Sequence, residues 1–152
     1  MEPEERLRLA NYCFGCGQLN PDGLKLRVTA ADGRARAIYH AREEHQGFPG
    51  LMHGGLIATL LDEVMGWAMY SSGIWAVTGK MDLRYRRPIP LGTDLAVEAA
   101  VTKQHARGLV AHGEVRALSS DELLVESKAI FVRVAPKQEE QLAFIYQPDL
   151  LL

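Results

Sequence analysis

From His53 to Tyr70 the chain carries one unbroken helical period, with Ile57, Leu60, Leu61, Val64 and Ala68 at i, i+3, i+4, i+7 and i+11. That spacing lines five apolar side chains along a single face, and no other long segment of the sequence shows it. The stretch predicts a core helix around which the other elements must be arranged.

The start of this helix is unusual for a purely structural one. Gly54 and Gly55 carry no Cβ, so another backbone or a ligand atom can come close to the first-turn N–H groups. Those groups have no intrahelical partners and sit at the positive end of the helix dipole, which suits a carbonyl oxygen gaining negative charge. A second face carries Gly55, Thr59, Asp62, Gly66 and Met69, small residues flanking one carboxylate. Apolar burial would not select such a face; a groove for an extended ligand would. Asp62 lies seven residues past Gly55, roughly 10 Å further along the axis at 1.5 Å per residue. One helix therefore cannot easily bring both to one reacting atom, whereas two antiparallel copies related by a two-fold axis can.

The rest of the chain supplies mostly strands. Residues 4–11 predict a short helix with Leu7 and Ala10 as its docking side, and residues 13–24, rich in Gly and Pro, predict a loop. Residues 24–29 and 34–40 alternate apolar and polar on either side of an Asp32-Gly33 turn, the pattern of a hairpin. Residues 43–52 form a loop leading into the helix, so their side chains should line the mouth of any site there. Strands follow at 76–86, 94–104, 109–117 and 123–134; the tail from Pro136 is polar and ends in an apolar run reaching Leu152 that suits docking. Two strands, a helix and four strands predict an α+β fold, an antiparallel sheet with one long helix packed on it. The expected organisation is one domain over 1–152, with its core at 12–134, an N-terminal extension at 1–11 and a C-terminal tail at 135–152.

Composition excludes several functions. A net charge of −2 and a pI near 6.2 give no electrostatic case for nucleic acid. The apolar runs fall far short of the roughly 20 residues a membrane span needs, and the acidic start at Glu2, Glu4 and Glu5 does not resemble a signal segment. The expectation is a cytoplasmic protein.

Cys13-x-x-Cys16 invites a zinc or redox reading. A zinc site needs about four ligands, and only His40 or His45 could complete it, so packed turn thiols are favoured and no metal is expected. Among acids, Glu63 points about 100° away from Asp62 around the helix and is the weaker candidate. His53 suits a structural role, fixing the loop by hydrogen bonds. Lys80, Arg84, Arg86, Arg87, Lys103, His105 and Arg107 form a basic cluster after the helix that could meet phosphates.

The pattern His53-Gly54-Gly55, with Asp62 nine residues after the histidine, within this order of elements, resembles the hotdog-fold acyl-CoA thioesterases of the PaaI-like type. Cys13-x-Gly15-Cys16-Gly17, then Asn20-Pro21-x-Gly23-Leu24, and Gln46-Gly47-x-Pro49-Gly50 resemble one branch of that superfamily. The resemblance spans about residues 12–134. It implies a six-stranded antiparallel sheet wrapped around the helix, a homodimer that pairs into a tetramer, and no metal or organic cofactor. It further implies that the Gly55 N–H polarises a thioester carbonyl, that Asp62 of the partner subunit acts as nucleophile or base, and that Thr78 helps position water or carboxylate. His53, Gly54, Gln46, Gly47, Thr59, Arg84, Arg86 and Arg87 are the expected substrate contacts. Several relatives carry Asn or Gln six residues before the motif histidine, where this chain has Gly47 with Gln46 beside it. The function so implied is hydrolysis of an acyl- or aryl-CoA thioester; the alternative is a non-catalytic acyl-CoA sensor of the same fold. A hydratase would need a histidine paired with the acid, and the helix offers none at a useful spacing.

Overall fold

The computed structural model describes residues 2–146, apart from the side chains of Pro3 and Leu7. The expected docking of Leu7 and of the apolar ending over residues 147–152 lies outside the described residues. The elements run α1 (Pro3–Ala10), β1 (Val28–Ala31), β2 (Arg34–His40), a single 3-10 turn (Glu43–His45), α2 (Gly54–Tyr70), β3 (Ala76–Tyr85), β4 (Asp94–His105), β5 (Gly108–Ala117), β6 (Leu123–Arg133) and α3 (Pro136–Ile145). They separate into two compact units, one formed by residues 28–133 and one by the segments before and after it.

In the larger unit six antiparallel strands form one sheet in the order β1-β2-β4-β5-β6-β3. Helix α2 packs on one face of this sheet through Ile57, Leu60, Leu61, Val64, Met65, Ala68 and Met69, all buried. Leu95, Val97, Ala111, Val115, Val125 and Ala129 of the strands are buried with them. Burying each large aliphatic side chain is worth roughly 1.5–3 kcal/mol, so this face dominates the packing of the unit. Gly113 of β5 explains the close approach: a Cβ there would lie 2.9 Å from Leu61 Cδ2 and 3.2 Å from Met65 Cγ. Met69, assigned by spacing to the small-residue face, is 7% exposed and belongs to the core.

Strand β3 lies at one edge of the sheet and contains a bulge. Thr78 pairs with Phe131 and Lys80 with Ile130, leaving Gly79 as an extra residue. A Cβ on Gly79 would sit 2.7 Å from Val132 Cγ2. Side chains alternate along a strand with period two, so Thr78 and Tyr85, seven residues apart, would otherwise face opposite sides. The extra residue restores parity and turns both toward α2.

The smaller unit corrects two expectations. The strand does not begin at residue 24: Lys25 adopts a left-handed conformation with φ 54°, and the N–H groups of Leu24 and Leu26 donate to the carbonyls of Phe14 (2.8 Å) and Gly15 (2.9 Å). Alternating burial continues through Leu24 and Leu26, which is why the sequence resembles a strand there. The tail from Pro136 is not merely polar, because residues 136–145 coil into α3; Pro at its first position suits a helix start. The Arg6 guanidinium lies 4.5 Å above the Phe144 ring, joining α1 to α3. Within the cysteine loop, Cys13 Sγ accepts from Gly15 N at 3.3 Å, and both thiols are half-buried. Gly17 must be glycine there, since a Cβ would fall 2.2 Å from the Asn11 carbonyl oxygen. Among the described residues no helix is long and apolar enough to cross a membrane.

Candidate active site

The loop from residue 43 to 53 delivers the chain to the start of α2, and backbone pairing holds it. Gly47 N donates to Leu51 O (2.9 Å), Met52 N to Ile89 O (2.9 Å) and His53 N to His45 O (2.8 Å). The base of the loop is pinned by a buried cluster the sequence did not announce. His45, 6% exposed, stacks on Tyr39 with centroids 5.8 Å apart; its Nδ1 is hydrogen-bonded to the Tyr39 hydroxyl, and its Nε2 faces Arg42 Nη2 at 3.2 Å. A guanidinium only donates, so Nε2 must accept and the proton of the neutral ring sits on Nδ1. Burial, then the Arg42 charge, pushes His45 below its ordinary pKa; burial raises Tyr39 against the opposing effect of Arg42.

At the helix start, His53 is the N-cap, extended at φ −64° and ψ 129°. Its Nδ1 accepts the Gly55 N–H at 2.9 Å, which satisfies one of the orphan donors of the first turn. Gly47 fits beneath it because a Cβ would come within 3.0 Å of His53 Cα. Thr59 Oγ1 donates back to the Gly55 carbonyl at 3.0 Å. From β3, the Tyr85 hydroxyl donates to the Gly54 carbonyl at 2.8 Å.

Beside this corner lies a largely apolar groove of about 710 Å³, walled by Phe48, Met52, Ile57, Tyr85, Pro88 and Ile89. Gln46, Gly47, His53, Gly54, Arg86 and Arg87 also line it. The Gln46 side-chain oxygen accepts from Gly50 N (2.9 Å), so that group braces its own loop. Arg86 pairs with Glu126 at 2.7 Å and Arg87 with Glu122 at 3.4 Å, and both remain partly exposed. The basic cluster does not form one patch. Arg84 sits in a shallow depression with Asp82, His112 and Lys128, opposite the same Glu126 that pairs with Arg86, whereas Lys103 lines a cleft with Ser71 and Ser72 just past the other end of α2.

Asp62 projects from the middle of α2, half-buried, and its Oδ1 accepts from Thr78 Oγ1 at 2.7 Å. The neighbouring Glu63 accepts instead from Trp67 Nε1 at 3.1 Å, consistent with its different direction. Around Gly66 the face is open, with nothing within 4 Å of where a Cβ would be. Within one chain, then, the structure brings Gly54, Gly55, His53, Gln46, Gly47, Arg86 and Arg87 together at one end of the helix. It sets Asp62 and Thr78 two turns away.

Tyr85 and the Tyr39–His45–Arg42 cluster are the residues that sequence reasoning missed. Tyr85 fell inside what the sequence reads as an ordinary strand over 76–86, and the clue to its direction was Gly79 within that strand.

Comparison with known proteins bears on the family and the fold. Residues 49–124, covering α2 through the start of β6, match the family model described as the thioesterase superfamily. Acyl-coenzyme A thioesterase THEM4 of Mus musculus is 32% identical over 105 residues, which is 69% of this chain and 45% of that protein. The chain thus spans about half the length of this curated relative. The crystal structure of a thioesterase superfamily protein superposes with a TM-score of 0.75 at 28% identity, covering 80% of this chain and 60% of that one. Phenylacetic acid degradation protein PaaI from Thermus thermophilus superposes at 0.68 with 25% identity, over 73% of this chain and 95% of its own. With the sheet order, the one long central helix and the matched segment in agreement, the chain has the hotdog fold and belongs to the thioesterase superfamily.

Proposed function

We propose that the protein hydrolyses an acyl- or aryl-CoA thioester to the free acid and CoA. The observation that carries this reading is the Thr78-held carboxylate of Asp62 on an open, small-residue helix face, together with a glycine helix start beside an apolar groove. Thioester hydrolysis needs a donor for the developing oxyanion, a carboxylate to act on carbonyl or water, and a slot that excludes bulk solvent. The candidates for these three roles are not within reach of one another in a single chain.

A second copy resolves the separation. Strand β3 offers a ten-residue sheet edge with largely exposed side chains, and an unpaired edge of that length is a template for another strand. A two-fold partner across it would let the Gly55 N–H of one chain share a thioester with Asp62 of the partner subunit. The thioester oxygen would replace His53 Nδ1 on the Gly55 N–H. The acyl chain would lie along the apolar groove, and Arg86 and Arg87 at its rim would face the CoA phosphates. Asp62 then either attacks the carbonyl, so that the C–S bond breaks with the CoA thiolate leaving and water hydrolyses the resulting acyl-aspartyl anhydride, or deprotonates a water that attacks the carbonyl and expels the CoA thiolate. The proton from water ends on the thiolate. The relatives named as acyl-coenzyme A thioesterases support the substrate class, and no resident metal or organic cofactor enters this scheme.

The test is a panel of short-chain, long-chain and aryl acyl-CoAs followed by release of free thiol, alongside the molecular mass in solution. Turnover of at least one thioester by a dimer or tetramer is expected. Tight acyl-CoA binding without thiol release would replace this reading by the sensor alternative, and a fully active monomer would end the shared-site scheme.

A further inference from the structure

The Gly54 carbonyl and the Gly55 N–H are the two ends of one peptide group. The Tyr85 hydroxyl donates to the first at 2.8 Å, and the second donates to His53 Nδ1 at 2.9 Å. A continuous chain of hydrogen bonds therefore runs from the Tyr85 O–H through the peptide to the site where a thioester oxygen would dock. We propose that Tyr85 is a positioning residue acting through this peptide, its hydroxyl fixing the peptide plane and strengthening the Gly55 N–H as a donor to the thioester oxygen. The inference rests on the reading that this N–H polarises the substrate carbonyl.

The physical basis is polarisation. A donor on a peptide oxygen draws electron density from nitrogen, shortens the C–N bond and makes the N–H more acidic; such coupling strengthens successive bonds by on the order of 10–30% each. The placement favours it. Tyr85 projects toward α2 because the Gly79 bulge sets its parity, and its ring stacks against Gly54, where a Cβ would lie 3.7 Å from the ring carbons. It also walls the groove, so that ring and hydroxyl have separable roles. Burial raises the Tyr85 pKa, so the hydroxyl remains a donor through neutral and mildly alkaline pH. The helix gains little from this contact, because the Gly54 carbonyl already lies at an acceptor position of the first helical turn.

Three measurements test this. Tyr85→Phe keeps the ring and removes the donor; kcat is expected to fall about threefold to tenfold, a fraction of the 10²–10³ that a whole oxyanion donor supplies, with KM within about twofold. In the same variant the Gly55 amide proton should move upfield in a ¹H–¹⁵N spectrum recorded without substrate. Replacing Tyr85 by a ring-fluorinated tyrosine, whose hydroxyl donates more strongly, should shift both readouts the other way. A merely structural tyrosine would leave the Gly55 amide unmoved or lower kcat in both variants, and either result overturns the proposal. If Asp62→Asn is inactive and Tyr85→Phe is as active as the parent, this inference alone fails. If the parent hydrolyses no acyl-CoA, the underlying reading fails with it.

Discussion

Strand β3 meets helix α2 at two places, and the two contacts differ instructively. Near its start, the Thr78 hydroxyl donates to a side chain, the Asp62 carboxylate, at 2.7 Å. At its end, the Tyr85 hydroxyl donates to backbone, the Gly54 carbonyl, at 2.8 Å. Both are single hydroxyl donors of similar length reaching from one strand to one helix. The first holds a group whose chemistry is written in its own side chain. The second acts on a peptide unit, and so its effect travels to the neighbouring N–H.

The largest expected effect lies at the Thr78 end. Asp62→Asn is nearly isosteric and still accepts a hydrogen bond, yet it cannot serve as nucleophile or base; kcat should fall by about 10²–10⁴ with the circular dichroism spectrum and oligomer unchanged. Full activity across the acyl-CoA panel would remove Asp62 from the chemistry and leave only the helix-start contact of functional interest. Thr78→Val keeps the shape and deletes the donor. A hydrogen bond to a charged group is worth roughly 1.5–3 kcal/mol, and if part of it persists in the transition state kcat drops about tenfold. A change smaller than that seen for Tyr85→Phe would invert the comparison.

The bulge that serves both contacts can be probed by stability. Gly79→Ala sets a Cβ against Val132, whose half-exposed side chain can move, so a destabilisation of about 1 kcal/mol is expected in urea unfolding. A much larger loss, together with loss of both hydroxyl contacts by NMR, would show the bulge register to be less tolerant than the geometry indicates. The smallest effect concerns the anchor of the helix-start loop. The folded pKa of His45 is depressed by burial, so below its ordinary value near 6.5 the unfolded chain takes up a proton that the folded chain resists. Stability contributed by neutral His45 is thus fully present above that pH and declines as the pH falls below it. His45→Gln should flatten the decline in urea midpoints between pH 7 and pH 5; an unchanged slope would assign it to other groups.

Much of the fold was legible because its signals are local and repetitive. The helix spacing from Ile57 to Ala68 located α2, and the alternations located β2 through β6 to within a residue or two. Two stretches misled for opposite reasons. Residues 24–27 alternate as a strand does, but the amides of Leu24 and Leu26 are spent on the Phe14–Gly15 loop rather than on a neighbouring strand. Residues 136–145 are amphipathic too weakly to announce a helix, and form one beside α1.

The sequence by itself determined where the candidate groups lie: a helix with a glycine start, and one carboxylate among small residues two turns along. Those features follow from residue type and helical period, which depend only on neighbours in the chain. Tertiary structure alone decided that Thr78 and Tyr85 reach that helix together, because one extra residue at Gly79 reverses the facing of every side chain beyond it. It also decided that Lys103 lies past the far end of α2 from Arg86 and Arg87, and that His45 is buried against Tyr39 to hold the loop. Facing and burial are set by what packs opposite, and that partner lies tens of residues away in the chain.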